Sequence, residues 1–217
     1  MSRSVYSLVL SDEIVEATDR LAYERHLSRS GLIDRILAEY LACPTPAMRM
    51  KSVFDEVERL MEGVSDFQVQ PQPSDAMLSL RSALHYRYRP TVRYVLELYP
   101  SGSAAGELRV SMRSQSRPLL DRLDAFFTAW RETEDGLVGS GFADGRVECE
   151  IGDGRYSRLL PASPALAGEE DLARAACRYI RLMDHCLKQW FAEEDPRRAR
   201  RDMEEAYRTH LEKEPAL

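Results

Sequence analysis

Arginine recurs on alternate positions between residues 81 and 113, and alternation is the spacing that a β-strand turns into one face. Arg81, Arg87 and Arg89, with His85, alternate against Leu78, Leu80, Leu84, Tyr86 and Tyr88. Arg93 lies between Val92 and Tyr94, and Arg109 and Arg113 fall on positions that alternate with Leu108, Val110 and Met112. Residues 81–117 hold seven arginines against two glutamates, a local excess of five positive charges. Guanidinium groups gathered on one sheet face suit an anion: nucleic acid, a phosphorylated ligand or an acidic partner segment. The competing reading is a solvated sheet face whose arginines pair with acidic helices, and no glycine-rich phosphate loop accompanies the row. Arg81, Arg87, Arg89, Arg93, Arg109 and Arg113 are the anion-site candidates.

Other reactive residues are sparse. The four histidines, His26, His85, His185 and His210, are scattered, and Asp184-His185-Cys186 is the single cluster with metal-ligating side chains. Consecutive helical residues point about 100° apart and do not converge on one ion, so no metal is expected. Gly139-Ser140-Gly141 lacks the strand-turn-helix setting of a nucleophile elbow. Gly152-Asp153-Gly154 is spent as a turn, and no carboxylate pair stands out. Neither an enzyme nor a cofactor is expected.

The elements that would position the arginines are legible from the hydrophobic period. Residues 77–114 read as three antiparallel strands with one buried face. A helix over about 118–132 carries Leu119, Leu123, Phe126, Phe127 and Trp130 as its core stripe. Residues 147–160 read as a hairpin turning at Asp153-Gly154. A long helix over about 169–193 buries Leu172, Ala176, Tyr179, Met183, Cys186, Leu187, Trp190 and Phe191. Together these predict an α+β domain over 76–193, with a mainly antiparallel sheet and two long helices, serving as an effector or oligomerisation domain. Residues 194–217 read as a charged, solvated C-terminal helix.

The first half of the chain is different in kind. Residues 4–10 (SVYSLVL) form a short apolar run, and Ser11-Asp12-Glu13 opens a helix with anions at its positive end. That helix repeats Ile14, Ala17, Leu21 and Tyr23. Ser28 caps a second one carrying Leu32, Ile33, Ile36, Leu37, Tyr40 and Leu41. Thr45-Pro46 starts a third, with Met50, Val53, Phe54, Val57, Leu60 and Met61 on its face, ending at Gly63. Residues 64–75, rich in Gln and Pro without a period, read as a linker, so 44–75 is expected to be a connector helix and linker.

Strand, Ser-acid-acid helix start, Asp-x-Leu-Ala in the first helix and an S-R-S loop opening the second follow one another without a gap. In these parts residues 1–42, about a fifth of the 217-residue chain, resemble the ribbon-helix-helix DNA-binding family of the MetJ, Arc and CopG type. The resemblance implies a dimerisation and DNA-binding module over 1–43 whose paired β-ribbon enters the major groove. Tyr6, Leu8 and Leu10 would then face the helices. Arg3, Val5, Ser7 and Val9 would face the base edges, and Ser28, Arg29 and Ser30 would hold a phosphate. Independently of the resemblance, one short strand and two helices cannot bury a sufficient core alone, so this unit is expected to work as a homodimer or a higher oligomer.

Composition limits how such a protein could bind. Charged residues make up 30% of the chain and the formal net charge is −6. Residues 1–42 carry five arginines against seven acids, so binding would rest on a few placed arginines and helix N-termini rather than on bulk charge. No run is long enough to span a membrane, and the early acids Asp12 and Glu13 are unlike a signal peptide. Four cysteines without a CxxC pair fit a reducing compartment, so a cytoplasmic protein with no membrane partner is expected. The leading expectation is a bacterial-type, sequence-specific transcriptional regulator on double-stranded DNA. The alternative is a protein-interaction adaptor that uses the same module only to dimerise, with the second domain binding a protein or anionic ligand.

Overall fold

The computed structural model describes residues 5–64, 66–70, 76–86, 89–142 and 144–213. It is an α+β chain of two compact units, Met1–Met48 and Arg49–Leu217. Among the described residues no helix is long and apolar enough to cross a membrane.

In the first unit, residues 5–10 are exposed and form no strand. The strand expected over 4–10 is therefore absent from the single chain. The reason is elementary: a strand exists only when a second strand takes up its N–H and C=O groups, and this unit holds no other strand among its described residues. Helix α1 (Asp12–Glu24) follows, its first turn closed by the Ser11 carbonyl, which accepts from the Ile14 and Val15 amides at 3.0 Å. The Ser11 side chain makes no capping bond. After a turn through His26, in left-handed conformation at φ 53°, α2 (Arg29–Tyr40) begins. There the Ser28 Oγ accepts from the Gly31 amide at 3.1 Å. Thr18, Ala22, Leu32 and Ala38 are the residues buried in these helices. Of the stripes expected from sequence only Leu32 is buried, while Ile14, Ile36, Leu37, Tyr40 and Leu41 stay exposed.

The second unit has one core. Helix α3 (Pro46–Met61) is capped by Thr45, whose Oγ1 accepts from the Met48 amide. Its face Val53, Phe54, Val57 and Met61 belongs to that core, where the Cys177 thiol lies 3.8 Å from the Val57 carbonyl. The segment expected to be a connector is thus largely built into the domain. Its second half supplies an edge strand, β1 (Phe67–Gln70), and residues 71–75 lie outside the described residues.

Five more strands complete one antiparallel sheet: β2 (Met77–Ala83), β3 (Thr91–Leu98), β4 (Ala104–Met112), β5 (Cys149–Gly152) and β6 (Arg155–Pro161). Their spatial order is β1-β2-β3-β4-β6-β5. The β5–β6 hairpin turns through Asp153 and Gly154, both at positive φ (52° and 70°), as a type I′ turn requires. Two long helices, α4 (Arg117–Leu137) and α5 (Glu169–Ala192), lie on one sheet face. Their contacts fix which face. Phe127 stacks on Tyr156 of β6, and the Tyr94 hydroxyl of β3 donates to Asp184 of α5 at 3.0 Å. Leu78, Leu80, Leu96, Leu108 and Val110 share that buried face. The last helix, α6 (Pro196–Lys213), is no solvated appendage, because Ala199, Met203 and Tyr207 are buried beneath its charged side.

At the heart of this unit lies a buried polar cluster. The Glu134 carboxylate of α4 accepts from the hydroxyls of Tyr156, Tyr179 and Tyr207 at 2.8–2.9 Å. Arg158 Nε of β6 stands 3.2 Å from the same carboxylate, with both side chains at 0% exposure. Trp130 donates its indole N–H to the Tyr179 hydroxyl at 2.9 Å. One carboxylate therefore ties α4, α5, α6 and β6 together. Burying a charge is tolerable only when it is paired and hydrogen-bonded, and the Glu134 carboxylate is both.

Candidate nucleic-acid interface

The N-terminal unit presents an apolar surface that its own helices leave open. Among the described residues, twelve of the thirteen exposed large hydrophobic side chains fall between Val5 and Leu41. Val5 and Val9 are fully exposed, Tyr6 is 85% exposed, and Leu8 and Leu10 are 50% and 37% exposed. Leu8 and Leu10 are less exposed than Val5, Tyr6 and Val9, but all five are exposed and belong to no strand. Ser7 is exposed, and Arg3 lies outside the described residues.

The phosphate candidates sit together at the start of α2, and all three are engaged locally. Ser28 Oγ serves the Gly31 amide and stands 3.3 Å from Ser30 Oγ. The Arg29 guanidinium forms a two-pronged ion pair with Asp19 of α1. Both partners are substantially exposed, at 60% and 44%, so the pair is weakly held and a phosphate could compete for Arg29. Helix geometry leaves the Arg29 and Ser30 amides without intrahelical acceptors, pointing outward at the positive end of α2.

The sheet arginines divide. Arg81 and Arg93 are exposed on the face away from α4 and α5, and they are Cα partners across β2 and β3. Arg109 is on the same face but is taken by Glu97 at 2.5 Å and Glu107 at 3.4 Å, so it leaves the candidate set. Arg89 sits at φ 44° in the turn before β3, and Arg113 is exposed immediately after β4. Arg87 lies outside the described residues. The register adds one arginine that the sequence reading missed. Arg93 is opposite Ser111, and Ser111 is opposite Arg155 of β6. Counting outward from the Asp153-Gly154 turn would have placed Arg155 on this face.

The helix side offers little chemistry. An open cavity of about 540 Å³ is lined by Arg131, Glu132, Asp135, Arg146, Val147 and Cys149. Its acids are already occupied: Glu132 pairs with Arg200 at 2.8 Å, and Asp135 accepts from the Val147 amide at 2.9 Å. Burial raises the Cys149 thiol above its ordinary range, which makes it a poor nucleophile at neutral pH. Asp184 and Cys186 are buried while His185 is exposed, so that triplet does not converge. Among the described residues no three metal-ligating side chains gather. Gly139–Gly141 is a 3₁₀ turn. The chain matches no protein-family model, no curated protein and no solved structure.

Proposed function

We propose that this chain is a homodimeric DNA-binding regulator whose N-terminal residues form a ribbon-helix-helix module with a second copy. The observation that carries the reading is the crowding of exposed apolar side chains into residues 5–41. Scattered surface leucines are ordinary, but a contiguous unit that buries only four of its described residues is not. Pairing two copies of residues 5–10 antiparallel would satisfy their backbone groups and turn Leu8 and Leu10 toward the four helices. Ile14, Ile36, Leu37, Tyr40 and Leu41 would supply the shared core. Such a ribbon fits the major groove, with Arg3, Val5, Ser7 and Val9 toward the bases and the start of α2 toward the backbone.

Amide hydrogen exchange tests the ribbon. The amides of residues 6–10 are expected to alternate between protected and free, with protection rising with protein concentration. Uniformly fast exchange at every concentration would remove the ribbon and the groove contact with it.

One observation favours a second reading, an adaptor that dimerises through the same unit and binds another protein. Val5 and Val9 are fully exposed, and valine reads bases only through thymine methyl groups. Replacing both with lysine separates the readings: a DNA binder keeps or gains duplex affinity, whereas an adaptor loses its partner.

A further inference from the structure

We propose that the open face of the sheet in the second unit is a separate contact for duplex DNA, gripping the phosphodiester backbone through Arg81, Arg93, Arg113 and Arg155. The choice of DNA as the polyanion rests on the reading of the chain as a DNA binder; the site itself does not.

The sheet register builds the site. Gln68, Arg81, Arg93, Ser111 and Arg155 are successive Cα partners across β1, β2, β3, β4 and β6. They form one row perpendicular to the strands. Neighbouring strands lie about 4.8 Å apart, so Arg81 and Arg155 are separated by about 14 Å. Arg113 follows Met112, two residues beyond Ser111, and extends the row along the strand direction.

Within the protein the row is electrostatically unfinished. Arg81 and Arg93 stand directly opposite each other, an arrangement that destabilises a sheet unless something neutralises it. Among the described residues none of the four arginines is in an ion pair, and Arg93 donates to the Ser79 hydroxyl at 2.9 Å. On this face Glu97 and Glu107 lie four residues from Arg93 and Ser111 along β3 and β4 and bind Arg109. Glu150 of the edge strand β5 is opposite Ser157 and so diagonal to Arg155, the one acid next to the row among the described strand residues.

The side chains around the charges select the occupant. Glutamine, serine and arginine are donors typical of backbone contacts to nucleic acid. The row has no aromatic platform on which single-stranded bases could stack and no aromatic or aliphatic anchor for a protein interface. Met77 and Leu159, on the same face, flank Glu97 and Glu107 in a separate row four residues along the strands. The N-terminal unit, with more acids than arginines over residues 1–42, leaves phosphate neutralisation to be supplied elsewhere. The row supplies it.

Salt dependence of duplex binding by the full chain tests the proposal, using fluorescence anisotropy with a labelled duplex. Each arginine–phosphate contact removed lowers the slope of log K against log salt by about 0.9. Arg81→Ala/Arg93→Ala and Arg113→Ala/Arg155→Ala should each flatten the slope by about two and weaken low-salt binding at least tenfold. Both variants should keep the wild-type circular dichroism spectrum and oligomeric state. Arg131→Ala/Arg146→Ala, which removes equal charge from the cavity, should leave the slope unchanged. Equal slopes for wild type and both row variants would overturn the proposal and leave the N-terminal reading standing. So would equal flattening by the cavity variant. Flattening by the row variants, with no effect of Ser7→Ala or Arg29→Ala, would support the row and sink the N-terminal reading. No duplex binding by the wild-type chain at low salt would overturn both. A row variant that alters the oligomeric state without changing the slope would assign the row to protein contact instead.

Discussion

Glu134 of α4 and Arg158 of β6 form an ion pair from which solvent is wholly excluded, 3.2 Å apart with no exposed surface on either side chain. Their mutual attraction offsets a large desolvation cost, and three tyrosine hydroxyls complete the carboxylate's shell. Removing one partner strands the other. Glu134→Leu should cost about 3–5 kcal/mol in the unfolding of the second unit, whereas Glu134→Leu combined with Arg158→Met should cost clearly less. Urea unfolding of the four chains of this double-mutant cycle measures both. A double variant as unstable as the sum of the single ones would show that the pair is not coupled.

The hydroxyls around this pair set an alkaline limit on stability. Burial first, together with the neighbouring carboxylate of Glu134 or Asp184 and, for Tyr156 and Tyr207, with Tyr179, holds Tyr94, Tyr156, Tyr179 and Tyr207 above the ordinary tyrosine range. A raised folded pKa means that the unfolded chain loses its protons first. The stabilisation is therefore complete below pH about 10 and drains away above it. Of the ten tyrosines, these four should stay un-ionised until the chain unfolds and then titrate in one cooperative step of tyrosinate absorbance. Smooth, independent titration of all ten would contradict the cluster.

The cysteines should react in order of exposure. Cys43 is exposed, Cys149 is half-buried with its thiol raised, and Cys177 and Cys186 are buried with their thiols pushed up to about 12. A thiol-specific disulfide reagent at neutral pH should label Cys43 in seconds and Cys149 more slowly. Cys177 and Cys186 should react only on unfolding, because the thiolate is the nucleophile. Four fast equivalents from the native protein would show that the α5 core is open.

The exposed apolar stripe of α2 should control assembly without touching the second unit. Leu37, 45% exposed, has room for a charge in one chain but not at an interface between two. Leu37→Asp should shift the protein from dimer to monomer in sedimentation, while the main thermal transition moves by no more than about 2 °C. A dimer that survives both Leu37→Asp and Ile36→Asp would place the interface elsewhere.

What the sequence displayed and what it concealed divide along physical lines. Period-2 and period-3.6 patterns exposed the strands at 77–83, 91–98 and 104–112 and both long helices, because each buries one face against a common core. The Asp153-Gly154 pair exposed its hairpin through backbone conformation alone. Strand β1 was hidden, since an edge strand buries little and FQVQ carries almost no period. Arg158 was hidden for the opposite reason. Its inward position follows from alternation with Tyr156 and Leu160, but charge argues against burial until Glu134 is seen opposite it. Arg109 shows the same limit on the open face, where composition reveals an arginine and only the register reveals that Glu97 and Glu107 already hold it. The expected N-terminal ribbon is legible solely as a pattern, because all of its strand-pairing hydrogen bonds would be made with a second chain.

Whether a dimer of this chain reads duplex DNA is decided by retaining a pool of genomic duplex fragments on the purified protein at low salt and counting chains per bound fragment. The expected result is enrichment of particular fragments, two chains or a multiple of two per site, release by added salt, and reduced retention for Ser7→Ala. A well-folded dimer that retains no fragment, at any salt down to low ionic strength, would contradict it.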